Sequence, residues 1–144
     1  MKKNSTKKLY TVLGIILFIS TVNALHATCQ GIGGLISPES FGIEWLEMDK
    51  WMQITVLVGR MVGGLVFSAL LYAFTINTIK GYKAGVLFPR KNFGILIACS
   101  VALFVYMFCY DNMALVGIAN DAVRQIVLDL NTVVCSMTFV VFAL

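Results

Sequence analysis

Residues 61–79 read MVGGLVFSALLYAFTINTI, and residues 80–92, which follow directly, read KGYKAGVLFPRKN. The first stretch holds nineteen residues without a formal charge. At about 1.5 Å per residue, a helix of that length matches the roughly 30 Å hydrocarbon core of a bilayer. The second stretch carries four cations: Lys80, Lys83, Arg90 and Lys91. An apolar run that ends in a short basic segment is typical of a membrane-spanning helix followed by a cytoplasmic loop.

The whole chain has the composition of a membrane protein. Of its 144 residues, 59% are apolar and 12% are charged, whereas soluble domains carry about twice that share of charge. A chain of 15.8 kDa is too small to hide such apolar runs in a core of its own. These values exclude a soluble enzyme, a disordered chain and a protein that binds nucleic acid directly.

Further uncharged runs cover residues 9–27, 93–110 and 130–144. We therefore predict one domain over residues 1–144, an all-α integral membrane protein with four transmembrane helices. The predicted segments are spans at 9–27, 54–79, 93–110 and 126–144, outer loops at 28–50 and 111–129, and an inner basic loop at 80–92. The last run is short, so the fourth span requires Asp129 near the membrane boundary or a chain that continues, and we expect a longer natural chain.

The first run also follows the pattern of a secretory signal peptide, with Cys29 as a lipidated residue. His26 and Thr28 occupy positions where small residues or a leucine would be needed for cleavage. We therefore expect an uncleaved anchor.

The charges predict the orientation of the chain. Eight of the eleven Lys and Arg residues lie before the first run or in the 80–92 loop, which the positive-inside rule assigns to the cytoplasm. The acidic residues all fall in predicted outer segments: Glu39, Glu44, Glu47, Asp49, Asp111, Asp121 and Asp129. We predict that both termini are cytoplasmic and that the basic inner face meets an anionic lipid leaflet.

Arg60 directly precedes the uncharged run 61–79 and lies within the predicted span at 54–79. A guanidinium in contact with lipid costs several kcal/mol unless it reaches the headgroups or finds a partner. Two interpretations stay open: Arg60 extends to the outer headgroups, or it forms an intramembrane ion pair with Asp129 or Asp111. The pair with Asp129 would also be the start of a polar path across the membrane.

Gly59, Gly63 and Gly64 form a stripe of small residues that contains a GxxxG motif. Such a stripe lets two helix backbones approach closely, and the partner is either another helix of the same chain or a second copy in a homo-oligomer.

The four cysteines include no C-x-x-C pair, and the chain has a single histidine, so we expect no metal and no cofactor. Cys29 and Cys109 both lie at predicted outer helix ends, where an oxidising compartment would allow a disulfide. No G-x-S-x-G, H-E-x-x-H or P-loop motif occurs, so we predict that the protein is not an enzyme.

The segment from residue 79 to residue 92 resembles the DUF2975 family of small bacterial four-span membrane proteins. Gly85, Phe88 and Asn92 match the family pattern, whereas Pro89 stands where Ser or Thr is usual. Members are often associated with small helix-turn-helix regulators, so the resemblance implies a regulatory or sensing partnership with a cytoplasmic protein. It implies no catalytic residues.

From these observations we expect a non-enzymatic multi-pass protein of the bacterial cytoplasmic membrane. Its loop residues Lys83, Arg90 and Lys91 would face headgroups or a cytoplasmic regulatory protein. The alternative is a small transporter or oligomeric pore with a polar path around Arg60 and Asp129.

Overall fold

A computed structural model describes residues 2–45, 49–86, 88–116 and 126–143. It contains four α-helices in chain order: α1 (Lys2–Ile36), α2 (Lys50–Lys83), α3 (Lys91–Asp111) and α4 (Leu130–Ala143). Two short 3-10 turns, Pro38–Phe41 and Met113–Leu115, lie between α1 and α2 and after α3. No strand occurs in the described ranges, which confirms the predicted all-helical fold.

Three helices are long and apolar enough to cross a membrane: Lys7–Ile36 within α1, Lys50–Lys83 and Lys91–Asp111. The fourth, α4, has 14 residues, which corresponds to about 21 Å of helix. The chain is therefore a membrane protein by the length and composition of its helices.

Helix α1 is longer than the predicted first span, because it ends at Ile36 and not near residue 27. Three glycines of the predicted outer loop 28–50 lie inside the helix, and neighbouring side chains occupy the space that a Cβ would fill. Gly31 meets Met61, Gly33 meets the Phe41 ring, and Gly34 meets Ile43 and Leu57. These contacts offset the low helix propensity of glycine.

Helix α4 begins at Leu130, four residues later than the predicted span. The Asp129 carboxylate accepts a hydrogen bond from the backbone N–H of Asn131 at 2.9 Å, and the Asp129 carbonyl accepts from the N–H of Thr132. This is the geometry of an N-cap, which fixes the start of the helix at the next residue.

The helices pack in chain order, with α1 on α2, α2 on α3 and α3 on α4. In the described residues α1 and α4 make no backbone approach to each other, so the array stays open on that side. Neighbouring helices run antiparallel: the hydroxyls of Thr21 and Tyr72 lie 2.8 Å apart, and the amide of Asn92 donates to Thr78.

The antiparallel packing gives the array a basic end and an acidic end. The basic end holds the first turns of α1 and the connection between α2 and α3. The acidic end holds the opposite helix termini with five described acids: Glu39, Glu44, Asp49, Asp111 and Asp129. The remaining acids, Glu47 and Asp121, lie outside the described residues, as does Arg124.

The face of α1 that packs on α2 is made mostly of small side chains, which lie three, four or seven residues apart. Its members are Leu13, Ser20, Ala24, Ala27, Gly31 and Gly34. The large apolar side chains of α1, such as Phe18 and Leu25, are exposed on the other faces. This distribution suits a helix in lipid, where packing between helices relies on close approach and lipid solvates the large residues.

The glycine stripe of α2 is the site of closest packing. A Cβ placed on Gly63 would lie 2.9 Å from the backbone nitrogen of Tyr106, and one on Gly59 would lie 2.7 Å from the Cys109 sulfur. Gly64 meets the Tyr106 ring and Ala27. The stripe thus contacts α3 and α1 of the same chain.

Two buried amides hold the connections at the acidic end. Gln53 Nε2 donates to the carbonyls of Glu44 at 2.8 Å and Leu115 at 3.0 Å. Asn112 donates to the carbonyl of Val127 at 2.7 Å and accepts from the Val127 N–H at 2.8 Å. Each amide replaces the water that these backbone groups would otherwise need.

We predict that Gly63→Ala lowers the free energy of unfolding in detergent by about 1–3 kcal/mol, because the new methyl group meets the Tyr106 backbone, which cannot rotate away. Gly94→Ala is the matched control, since a Cβ on Gly94 meets nothing within 4 Å. That control should leave stability unchanged or raise it by up to about 1 kcal/mol. Denaturant titration followed by circular dichroism measures both, and equal effects of the two variants would contradict the close packing.

Candidate functional site

The connection between α2 and α3, residues 80–92, is here called the basic hairpin. Gly85 has a φ of +78°, in the left-handed region that favours glycine. The Val86 N–H donates to the carbonyl of Gly81 at 2.9 Å, and the Gly85 N–H donates to that of Tyr82 at 3.2 Å. This pair of bonds with a left-handed glycine is a Schellman motif, which ends α2 in one defined conformation.

The second half of the basic hairpin packs back onto the helices. Pro89 occupies the space beside Gly81, and the ring centroids of Phe88 and Phe74 lie 6.5 Å apart. Asn92 is fully buried and donates to the Thr78 hydroxyl at 2.9 Å. The described residues of the hairpin, 80–86 and 88–92, are therefore attached to both helices.

The basic hairpin presents four exposed cations. Lys80, Lys83, Arg90 and Lys91 are exposed, and in the described ranges no carboxylate forms an ion pair with them. The structure thus brings together all six predicted loop residues: Lys83, Gly85, Phe88, Arg90, Lys91 and Asn92.

Two further cations belong to the same end. Helix α1 places Thr21 beside Tyr72, and Ala27 beside Gly64. When this antiparallel register is continued, Lys7 and Lys8 lie level with the start of the hairpin, and both are exposed. The described acids lie at the far end of the helices, so the basic end has a positive potential.

An apolar cleft of about 600 Å³ lies between α1 and α4, with α2 as its floor. Five phenylalanines contribute to its wall: Phe67, Phe74, Phe88, Phe139 and Phe142. Phe88 belongs to both the cleft and the basic hairpin. The cleft therefore reaches the basic end of the molecule.

Arg60 is buried, with 4% of its surface exposed, so it does not extend into solvent. Its guanidinium carbon lies 4.9 Å from the centroid of the Tyr110 ring, and its Nε has no hydrogen-bond partner in the part of the chain that the structure describes. A cation over an aromatic face is stabilised by the ring quadrupole, and the gain is larger away from water.

The ion pair between Arg60 and Asp129, one of the two interpretations of Arg60 that the sequence left open, is not formed among the described residues. Asp129 caps α4, and the Asp111 carboxylate accepts a hydrogen bond from the Thr132 hydroxyl. Both acids are therefore engaged with α4, while Arg60 packs between α2 and α3.

The four cysteines are free thiols, so the disulfide that the sequence would allow between Cys29 and Cys109 is absent from the structure. Cys109 is buried against Gly59, whereas Cys29 is exposed. Among the described residues, no group of His, Cys, Asp and Glu side chains is arranged to hold a metal ion.

Sequence reasoning missed Tyr110, which replaces an acid as the partner of Arg60, and the two amides Gln53 and Asn112. Gln53 lies four residues before Leu57 and seven before Arg60, on one face of α2. A polar residue on the buried face of a helix indicates a side chain that bonds to other buried groups, so the position of Gln53 could have shown its role. Tyr110 had no such signal, because its role depends on how α2 and α3 pack.

Comparisons of the chain with models of protein families, with curated proteins and with solved structures find no match.

We predict that Gly85→Ala opens the basic hairpin, since a left-handed conformation costs an L-residue about 1–2 kcal/mol. Exchange of the Val86 amide proton, which bonds to Gly81, should accelerate by about 5- to 30-fold. Gly85→Asn is the control, because asparagine tolerates this conformation and should restore most of the protection. Equal exchange rates in the two variants would show that the left-handed turn does not hold the hairpin.

Proposed function

We propose that this chain is a non-enzymatic, four-span protein of the bacterial cytoplasmic membrane that serves as a regulatory or sensing partner of a cytoplasmic protein. The basic hairpin is its docking element, and an acidic surface of the partner is its ligand. The observation that carries the proposal is that exposed cations sit on a hydrogen-bonded hairpin and that none of the described carboxylates pairs with them.

The order of the hairpin matters for affinity. A flexible loop loses conformational entropy when it binds, whereas an element already fixed by its own hydrogen bonds loses little. The Schellman motif at Gly85 and the bond from Asn92 to Thr78 supply that fixed geometry. A loop that served only to orient the chain in the membrane would need charges but no such order.

Charge complementarity sets the kind of partner. The hairpin offers four exposed cations at a tight turn. Such a surface recognises clustered carboxylates and increases the rate of association. Its binding to them weakens as the salt concentration rises. We therefore expect docking to be reversible and sensitive to ionic strength.

The topology is part of the proposal. Helix α4 packs on α3 with its capped start at the acidic end, so a fourth crossing would bring the chain back to the basic end. By the positive-inside rule that end is cytoplasmic, together with both termini. The hairpin residues Gly85, Phe88 and Asn92 also carry the resemblance to the DUF2975 family, and we propose membership on that basis.

The orientation can be tested with a membrane-impermeant maleimide. We predict that Lys83→Cys reacts only after the membrane is opened, whereas Ser40→Cys reacts in intact spheroplasts. Both positions are exposed, and they lie at opposite ends of the array. The unsubstituted chain gives the background of the four native thiols. The reverse pattern would place the hairpin outside and remove the docking proposal.

Docking can be tested by a photo-crosslinking amino acid placed at Ala84, which is exposed in the basic hairpin, and at Trp51, which is exposed at the acidic end. We predict a discrete protein adduct from position 84 in cells and none from position 51. The triple variant Lys83→Gln, Arg90→Gln, Lys91→Gln should reduce the yield at least about tenfold, because attraction to the acidic surface is lost.

The matched control for charge is Lys50→Gln, because Lys50 is an exposed cation at the acidic end. This substitution should leave the adduct unchanged. An adduct that survives the triple variant, or none from position 84, would contradict the proposed function.

A further inference from the structure

We infer that the apolar cleft holds one acyl chain of an anionic phospholipid, whose headgroup lies on the cations of the basic end. This lipid is the membrane component that the protein would sense. The regulatory role of the lipid site rests on the proposed function. The site itself is inferred from the cleft, the helix register and the charges.

The cleft has the dimensions and lining of a ligand site. Its volume of about 600 Å³ lies within the range of small-molecule sites, roughly 300–1,000 Å³. The α1 residues in its wall run from Leu13 to Asn23, which corresponds to about 15 Å of helix. The long dimension thus follows the helices, as a lipid chain in a bilayer does.

The cleft lies next to the basic end. Lys8 precedes Leu13 by five residues, or about 8 Å along α1. On the other side, the cleft-lining Phe88 stands two residues before Arg90. A chain in the cleft therefore belongs to a lipid whose headgroup is at the level of these cations.

The cations decide which lipid is favoured. A chain that moves from the bilayer into the cleft leaves one apolar environment for another, so the hydrophobic effect provides little preference. Each cation near an anionic headgroup contributes about 1 kcal/mol. With exposed Lys7, Lys8, Lys80 and Arg90 near the mouth, an anionic lipid is preferred over a zwitterionic one.

Binding of this lipid and docking of an acidic protein would oppose each other, because both neutralise the same hairpin cations. The anionic lipid content of the leaflet would then set how many copies are free to dock. This coupling gives the protein a sensing role that needs no catalytic residue.

The test uses the full chain purified in detergent and titrated with phosphatidylglycerol or with phosphatidylcholine of the same acyl chains. Lipids retained per protein are counted by native mass spectrometry. We expect one retained phosphatidylglycerol and weaker retention of phosphatidylcholine. The triple variant Lys8→Gln, Lys80→Gln, Arg90→Gln, which removes three of the cations near the mouth, should weaken phosphatidylglycerol binding on the order of 100-fold.

The cleft itself is tested by Ile16→Trp, which fills it with a larger side chain, and by Ile15→Trp as the control. Ile16 lines the cleft, whereas its neighbour Ile15 does not, and both side chains are largely exposed, so the fold tolerates either change. Ile16→Trp should abolish retention, and Ile15→Trp should match the unsubstituted chain.

Two results would overturn the inference: equal retention of the two lipids, or phosphatidylglycerol binding that survives in Ile16→Trp. No partner protein is present in this assay. If the unsubstituted chain does not prefer phosphatidylglycerol but still gives the adduct from position 84, the lipid site alone is refuted. If it retains phosphatidylglycerol as expected but gives no adduct, the docking proposal alone is refuted.

Discussion

The structure depends on close backbone contact between α2 and its two neighbours. In lipid, apolar side chains gain little by leaving the bilayer, so helices associate through dispersion contacts that require short distances. Gly63 allows this against the backbone of Tyr106, and Gly64 allows it against Ala27 of α1. Because α2 contacts both neighbours along its length, its register sets the positions of the hairpin, the cleft and Arg60.

The same packing separates the charges of the chain. Antiparallel helices carry every described acid to one end and the basic hairpin to the other, so none of these acids lies near the hairpin cations. In a soluble protein, surface pairs would neutralise part of this field. Here the positive potential remains available to an acidic protein surface and to an anionic lipid, and the ordered turn at Gly85 fixes where it is presented.

Arg60 shows how a buried cation is held without an acid beside it in the described residues. The guanidinium packs over the Tyr110 ring, whose quadrupole attracts a cation. Asp129 and Asp111 serve α4 instead, one as its N-cap and the other as the acceptor for Thr132. The acidic end is thus organised by hydrogen bonds to backbone and hydroxyl groups.

The sequence by itself determined the all-helical membrane fold, the approximate positions of the long helices and the basic segment between α2 and α3, because hydropathy and charge act on each segment independently of its neighbours. The end of α1 at Ile36, the choice of Tyr110 as the partner of Arg60 and the cleft between α1 and α4 were decided by tertiary structure. Each depends on distances between segments remote in the chain, and a single sequence carries no measure of those distances.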